Sequence, residues 1–247
     1  MTVPAARAEP ARAVMLELFP EGFEEGDGPD GVELAAYTDA AGEERLWKAF
    51  GGTSGVDVEA GWEDRWRSFH HPVRIGPLWI GPPWEEPPPG ALTVVIDPGR
   101  AFGTGAHPTT RLCLELLLGC GRGSLLDVGC GSGVLAIAAA KLGFGPIVAL
   151  DADPAAVEAA AANAAANGVQ LEVRLGDALS GLLPPAELTV ANITLATTER
   201  IAARLDSRRL IVSGYLASEH PRLDGFAPLR RLEAEGWAAD LSVQETG

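Results

Sequence analysis

From residue 125 onward, short apolar runs bounded by turn residues alternate with longer Ala- and Leu-rich stretches. The runs Leu125–Val128, Pro146–Leu150, Leu171–Leu175, Leu188–Ala191 and Leu210–Ser213 predict strands, the first of them apolar enough to be buried on both faces. Between them, Val134–Leu142, Pro154–Asn167 and Leu195–Leu205 predict helices. The second helix carries its own punctuation, with Asp153 as N-cap, Pro154 at the first helical position and Gly168 as the stop. Upstream, Thr109 and Thr110 open an apolar helix, Arg111–Leu118. Downstream, Leu229–Ala234 and Ala238–Val243 flank Glu235-Gly236 and read as an antiparallel hairpin. Strand and helix in alternation, closed by a hairpin, predict an α/β fold with a doubly wound, mostly parallel sheet.

Before residue 91 the pattern is weaker. Short β-like pieces over Ala13–Leu18 and Val32–Tyr37, with Gly- and Asp-rich turns at 26–31, suit a small α+β module. Trp62, Trp66 and Phe69 recur at helical spacing, so a short amphipathic helix is expected over Gly61–Phe69. Residues 76–90 hold six of the nineteen prolines, a density that excludes a helix interior. A strand at Leu78–Ile80 with extended connector around it is the expectation. The domain boundaries follow: a module over 1–60, a helical and Pro-rich linker over 61–90, and the α/β domain over 91–247.

Composition narrows the function. The 247 residues are 47% apolar, ample for a core, and carry a formal charge of −15. That charge opposes binding to bare nucleic acid and favours a basic protein partner. Three cysteines, Cys113, Cys120 and Cys130, form no CxxC pair and are odd in number, so neither a disulfide framework nor a zinc site is expected, and no metal. No signal-peptide layout opens the chain and no apolar run reaches the length of a membrane span, so a cytoplasmic protein is expected.

The chemistry concentrates at the ends of the expected strands. Asp127-Val-Gly129-Cys-Gly131-Ser-Gly133-Val134 follows the first strand, and Asp151 ends the second, twenty-two residues beyond Gly129. The glycines let the backbone turn tightly against a ligand, and Asp151 can accept hydrogen bonds from both ribose hydroxyls. A dinucleotide fingerprint would place Gly or Ala at the sixth position, where Val134 stands. The corner therefore looks like the nucleoside-binding end of an S-adenosylmethionine-dependent methyltransferase. Asp177 and Asn192 end the third and fourth strands, so four successive strands each deliver a polar group to the same edge. Asp177 is a candidate for the adenine amino group or a cap of the next turn. Asp127 either supports the loop or reaches the methionyl ammonium. Thr109 and Thr110, at a helix N-terminus, suit a carboxylate or simply cap the helix. His107 is either a general base or a structural loop histidine.

Two stretches, D-P-G-x-A-F-G-T-G-x-H-P-T-T-R-L-C-L from Asp97 and L-L-D-V-G-C-G-S-G-V-L-A-I-A-A-A-K-L-G from Leu125, are followed later by V-A-N-I at Val190–Ile193. Together they closely resemble the methyltransferase family that modifies ribosomal protein eleven of the large subunit, over roughly residues 92–215. The resemblance implies a Rossmann-like catalytic domain of the class I methyltransferases behind a small ferredoxin-like substrate-recognition domain on a flexible linker. It implies S-adenosylmethionine as cofactor, S-adenosylhomocysteine as product, and contacts from Thr110, Gly129, Asp151 and Asn192. Gly131, Asp177, Phe102 and Thr104 join them as cofactor-binding candidates. It further implies methylation of the N-terminal amine and lysine amines of the ribosomal protein.

Asn192 is the candidate catalytic residue, its side-chain oxygen accepting a hydrogen bond from the attacking amine. Asn192-Ile-Thr-Leu lacks the Pro-Pro-aromatic signature that stacks on a flipped base, which lowers a nucleic-acid substrate. The expected protein is a monomer that binds neither membrane nor nucleic acid directly. The alternatives are a methyltransferase of another protein, a small amine or RNA, and a non-enzymatic binding protein that keeps the fold.

Overall fold

The computed structural model describes residues 2–4, 7–19, 23–28, 31–36, 38, 40–51, 71–97 and 105–245. The chain divides into two compact units, Met1–Arg65 and Trp66–Gly247.

In the first unit, strands β1 (Thr2–Val3), β2 (Glu24–Gly28) and β3 (Gly31–Ala35) form an antiparallel sheet in the order β1-β3-β2. Helices α1 (Ala8–Leu18) and α2 (Ala40–Phe50) accompany it around a small core of Val3, Ala11, Met15, Phe19, Leu34 and Leu46. The order β-α-β-β-α and this pairing follow the ferredoxin-like pattern as far as Phe50. Ala13–Leu18, expected as β-like, is instead the second half of α1. Its buried positions Ala8, Ala11 and Met15 are three and four apart, a helical period that a six-residue window hides. The expected turn at 26–31 is narrower, because Gly26, Asp27 and Gly28 pair with Glu33, Val32 and Gly31. The helix expected over Gly61–Phe69 lies outside the described residues.

The second unit is built on a seven-stranded sheet. Its strands are β7 (Leu125–Val128), β8 (Ile147–Asp151), β9 (Glu172–Leu175), β10 (Ala186–Asn192), β11 (Ser207–Leu216), β12 (Phe226–Ala234) and β13 (Trp237–Gln244). The order is β12-β13-β11-β10-β7-β8-β9, parallel from β11 to β9 and antiparallel where β13 joins β11 and β12. Helices α3 (Pro108–Leu118), α4 (Val134–Lys141), α5 (Pro154–Ala166) and α6 (Leu195–Ala202) connect or cover these strands. The expected strands and helices are all present, shifted by a few residues at their ends.

The strand residues alternate between two apolar layers. Leu125, Val190 and Ile211 join side chains of α3, α4 and α5 in one layer. Leu126, Ala191 and Val212 join α6 residues Ile201 and Ala202 in the other. A sheet covered on both faces is the Rossmann-like arrangement of class I methyltransferases. The chain reverses direction across the sheet between β7 and β10, and ligands of such folds sit at that switch point.

The Pro-rich stretch is not a free connector. Strands β4 (Val73–Ile75), β5 (Leu78–Gly81) and β6 (Leu92–Val95) form a second small sheet, with Pro77 in the turn between β4 and β5 and the other five prolines of 76–90 in the loop between β5 and β6. Leu78, Ile80, Val94 and Ile96 are fully buried in the same core layer as α3 and α4. Their apolar burial outweighs what proline density suggests, because the prolines fall beside the strand and not within it.

Candidate functional site

The loop after β7 is held open by its own backbone. Gly129, Gly131 and Gly133 have φ of 71°, 53° and 81°, values at which any side chain is strained. At Gly129 a Cβ would also lie 2.4 Å from Cγ2 of Ile193, so only glycine admits the Ile193 side chain over the loop. Gly129 and Cys130 donate their N–H groups to the carbonyl of Leu150 at 2.8 and 3.1 Å, fastening the loop to the end of β8.

Asp151 completes that attachment. Its Oδ2 accepts from the Gly131 N–H at 2.9 Å and its Oδ1 from the Asp153 N–H at 3.0 Å. Each carboxylate oxygen has a further lone pair, so the group that shapes the loop can still receive two hydroxyls. Asp127 is 1% exposed and accepts from the Ala136 N–H of α4 at 3.1 Å through Oδ2. It thus caps the helix that follows the loop, the supporting role of the two considered. Its Oδ1 is buried with no hydrogen-bond partner among the described residues. Burial, with the nearby charge of Asp151, pushes the Asp127 carboxyl up to about 7 against the opposing Ala136 bond.

Across the switch point, Asn192 ends β10. Its Nδ2 donates to Oγ1 of Thr109 at 3.2 Å and to Oγ1 of Thr110 at 3.3 Å. Both threonines are buried in the first turn of α3. The carboxamide nitrogen is therefore turned toward α3, and its oxygen faces away from both hydroxyls. His107 is the N-cap of α3, with Nδ1 accepting from the Thr109 N–H at 3.3 Å and lying 2.7 Å from Thr109 Oγ1. Burial and the charge of Arg111 hold its imidazole below the usual histidine value, against a smaller opposing effect of Glu235.

Of the sequence-derived candidates, the structure thus joins Asn192 to Thr110, and Asp151 to Gly131 beside Gly129. Asp177 stands apart: it is exposed, with Oδ1 accepting from the Leu179 N–H and Oδ2 from the Ser180 hydroxyl, both at 2.8 Å. Those two bonds hold its carboxyl below the usual range, and they are the turn cap that was one of its two readings. Phe102 and Thr104 lie outside the described residues.

Sequence reasoning missed several positioning residues. Gly214 has φ of 101°, and a Cβ there would lie 2.2 Å from the carbonyl oxygen of Ile193, so it lets β11 close on the segment after Asn192. A glycine directly after an apolar strand was the available signal. Asn163, in the Ala-rich α5, and Asn167, the residue that caps its C-terminus, sit one turn apart. Asn163 accepts from the Asp97 N–H at 3.2 Å and donates to the Ser132 carbonyl at 2.9 Å. Asn167 accepts from the Val95 N–H at 2.8 Å and donates to the Val95 carbonyl at 2.6 Å. Their amides imitate a neighbouring strand, tying the end of β6 to the glycine loop.

The donor set suits a nucleoside bearing a sulfonium amino acid: open glycines, a carboxylate at the end of β8, a buried acid with a free oxygen, and a threonine-rich helix N-terminus. Over residues 42–239 the chain matches the family model described as ribosomal protein L11 methyltransferase (PrmA). Curated ribosomal protein L11 methyltransferases from Lacticaseibacillus paracasei and Azotobacter vinelandii are 40% and 44% identical to it, over 76% and 71% of this chain. The matches span 66% and 65% of those proteins, just under two thirds of their length. The crystal structure of a ribosomal protein L11 methylase from Lactobacillus delbrueckii subsp. bulgaricus is 29% identical, with a TM-score of 0.63 over 71% of this chain and all of that one. With the family model covering most of the chain and the site's elements in place within it, the chain belongs to the ribosomal protein L11 methyltransferase family.

Proposed function

We propose that this protein transfers methyl groups from S-adenosylmethionine to amines of large-subunit ribosomal protein L11, its N-terminal amine and lysine side chains. The observation that carries this reading is the placement of Asn192, pinned by two buried threonine hydroxyls opposite a glycine loop clamped by Asp151. On this reading Asp151 receives the ribose hydroxyls, Thr110, Gly129 and Gly131 line the amino-acid portion, and Asp177 borders the adenine. Phe102 and Thr104 complete the set, and residues 1–60 recognise the protein substrate. The overall charge of −15 favours encounter with a basic ribosomal protein. Among the described residues no helix is long and apolar enough to cross a membrane, and the proposed place of action is the cytoplasm.

S-adenosylmethionine, when bound, would supply an electrophilic methyl on a sulfonium sulfur, with a neutral thioether as the leaving group. The chain's part is positional. Asn192 Oδ1, directed away from the threonines, accepts a hydrogen bond from the incoming neutral amine and so aims its lone pair at the methyl. An α-amine, with a reference pKa of about 8, is more readily neutral than a lysine amine at about 10.4. His107 Nδ1 is committed to Thr109 and so does not serve as base to the substrate through that nitrogen.

The test is methyl incorporation from labelled S-adenosylmethionine into purified large-subunit ribosomal proteins, resolved by mass spectrometry. Label on L11 is expected, and label confined to other proteins would discard the substrate. Asn192→Ala should lower turnover by roughly 100-fold, the scale of a misplaced reactant, with a much smaller change in cofactor affinity. Unchanged turnover would remove Asn192 from the chemistry.

A further inference from the structure

His107 lies outside the proposed chemistry, yet its bonds lead straight to Asn192. Thr109 bonds it twice: the backbone N–H points at Nδ1 at 3.3 Å, and the hydroxyl oxygen lies 2.7 Å from the same nitrogen. A nitrogen that receives the Thr109 N–H is an acceptor, so Nδ1 is unprotonated and the neutral ring carries its hydrogen on Nε2. The Thr109 hydroxyl must then donate its single hydrogen to Nδ1. What remains on Thr109 Oγ1 is lone pairs, and these accept from Asn192 Nδ2 at 3.2 Å. The proton order is fixed along the whole row, from the Asn192 amide through the Thr109 hydroxyl to the His107 ring. A carboxamide turned by 180° would set its oxygen against the Thr109 hydroxyl, which has no hydrogen left to give, and leave the longer Thr110 contact as its one hydroxyl partner there.

We propose that His107 is a positioning residue that determines, through the Thr109 hydroxyl, which end of the Asn192 carboxamide faces the substrate amine. Protonation of the ring reverses the row. Nδ1–H donates to Thr109 Oγ1, and the hydroxyl hydrogen is released toward Asn192. The carboxamide then turns its oxygen to Thr109 and presents its NH2 to the amine lone pair. A donor placed there competes with the methyl for that lone pair and stops transfer. The inference rests on the reading of Asn192 given above.

The surroundings of His107 favour the neutral ring. Arg111, one turn along α3, opposes its protonation, while Glu235 at the β12–β13 turn, ion-paired to Arg111, favours it. The Trp237 ring packs edge-on against it at 5.0 Å between centroids, with the planes 68° apart. The switch therefore lies on the acid side of neutrality and leaves the working state intact at pH 7 and above.

Three measurements test this. In His107→Ala, turnover should fall by about 10- to 100-fold while the cofactor dissociation constant stays within about threefold, the signature of a misoriented group and not of a lost binding site. His107→Asn keeps an N-capping oxygen for the Thr109 N–H and cannot be protonated, so it should restore most of the turnover. Its saturating rate should fall with a slope of one in log rate against pH, the slope of substrate amine protonation alone. The native enzyme should steepen toward two on the acid side. In an Asn192→Ala background, His107→Ala should cost nothing further.

Equal losses in affinity and turnover for His107→Ala would overturn the proposal, as would a steepened acid limb retained in His107→Asn. Independently of any methyl transfer, long-range nitrogen–proton NMR correlation should find the His107 ring protonated on Nε2 at pH 7.5. A ring protonated on Nδ1 would refute the proton order outright. Failure of L11 methylation with that tautomer present would instead count against the assigned substrate.

Discussion

Asp127 gives the sharpest quantitative test of the site's electrostatics. Its carboxyl is 1% exposed, and its ionisation is displaced from 3.8 to about 7, chiefly by burial. A displacement of about three units corresponds to ~4 kcal/mol of folding free energy at ~1.36 kcal/mol per unit. In the unfolded chain Asp127 ionises near 4; in the native chain it holds its proton to about pH 7. Over that interval the native state binds the extra proton, so its contribution to stability is fully present below pH 4 and is lost as pH rises through 7. Asp127→Asn keeps an oxygen for the Ala136 N–H and cannot ionise. The variant should therefore gain on the native protein by up to ~4 kcal/mol between pH 4 and 7, and the gap should level off above. Urea-unfolding midpoints of both full-length proteins at half-unit pH steps measure this directly. Taking the difference cancels the titration of every other carboxylate. A gap that does not change with pH would show that Asp127 ionises normally and that the reasoning from burial fails.

Other expectations concern the loops around the site. Gly214→Ala would force a Cβ to within 2.2 Å of the Ile193 carbonyl at a φ of 101°, so stability should drop by ~1–3 kcal/mol and turnover should fall with it. A thermal midpoint within a degree of the native value would contradict that contact. Asp151→Ala loses the acceptor for Gly131 and the proposed ribose contact together, and the cofactor dissociation constant should rise at least tenfold, about 1.4 kcal/mol. Asp151→Asn, which keeps one oxygen, should lie between, and calorimetric titration that finds all three proteins alike would exclude the ribose contact.

Much of this site is legible in the sequence because it depends on short segments. The glycine loop, Asp151 and Asn192 each sit where one strand ends, and strand ends can be read from apolar runs. What stayed hidden requires two segments distant in the chain. Asn163 and Asn167 look like weak helix formers until Asp97 and Val95, 66 and 72 residues earlier, supply the backbone that their amides pair with. Gly214 matters only because Ile193 stands against it. The stretch at 76–90 misleads for the same reason, since proline count is local and the burial of Leu78 and Ile80 beneath α3 and α4 is not. Asp177 carried two readings from the sequence, an adenine contact and a turn cap, and the bonds to Leu179 and Ser180 show the cap.

The order in which the last two strands enter the sheet has a consequence for how the protein is made. β13, not β12, lies against β11, so during synthesis the growing sheet cannot accept β12 when it emerges. The backbone of β11 waits with one edge unpaired until residue 244 or so has left the ribosome. The tip of that hairpin also brings Glu235 to Arg111 and Trp237 to His107, while Ala238 accepts from the Ser213 hydroxyl at 2.6 Å. The groups that pack against His107 and the end of β11 thus arrive last, when the glycine loop, its Asp151 clamp and the Asn192–threonine bonds are already synthesised.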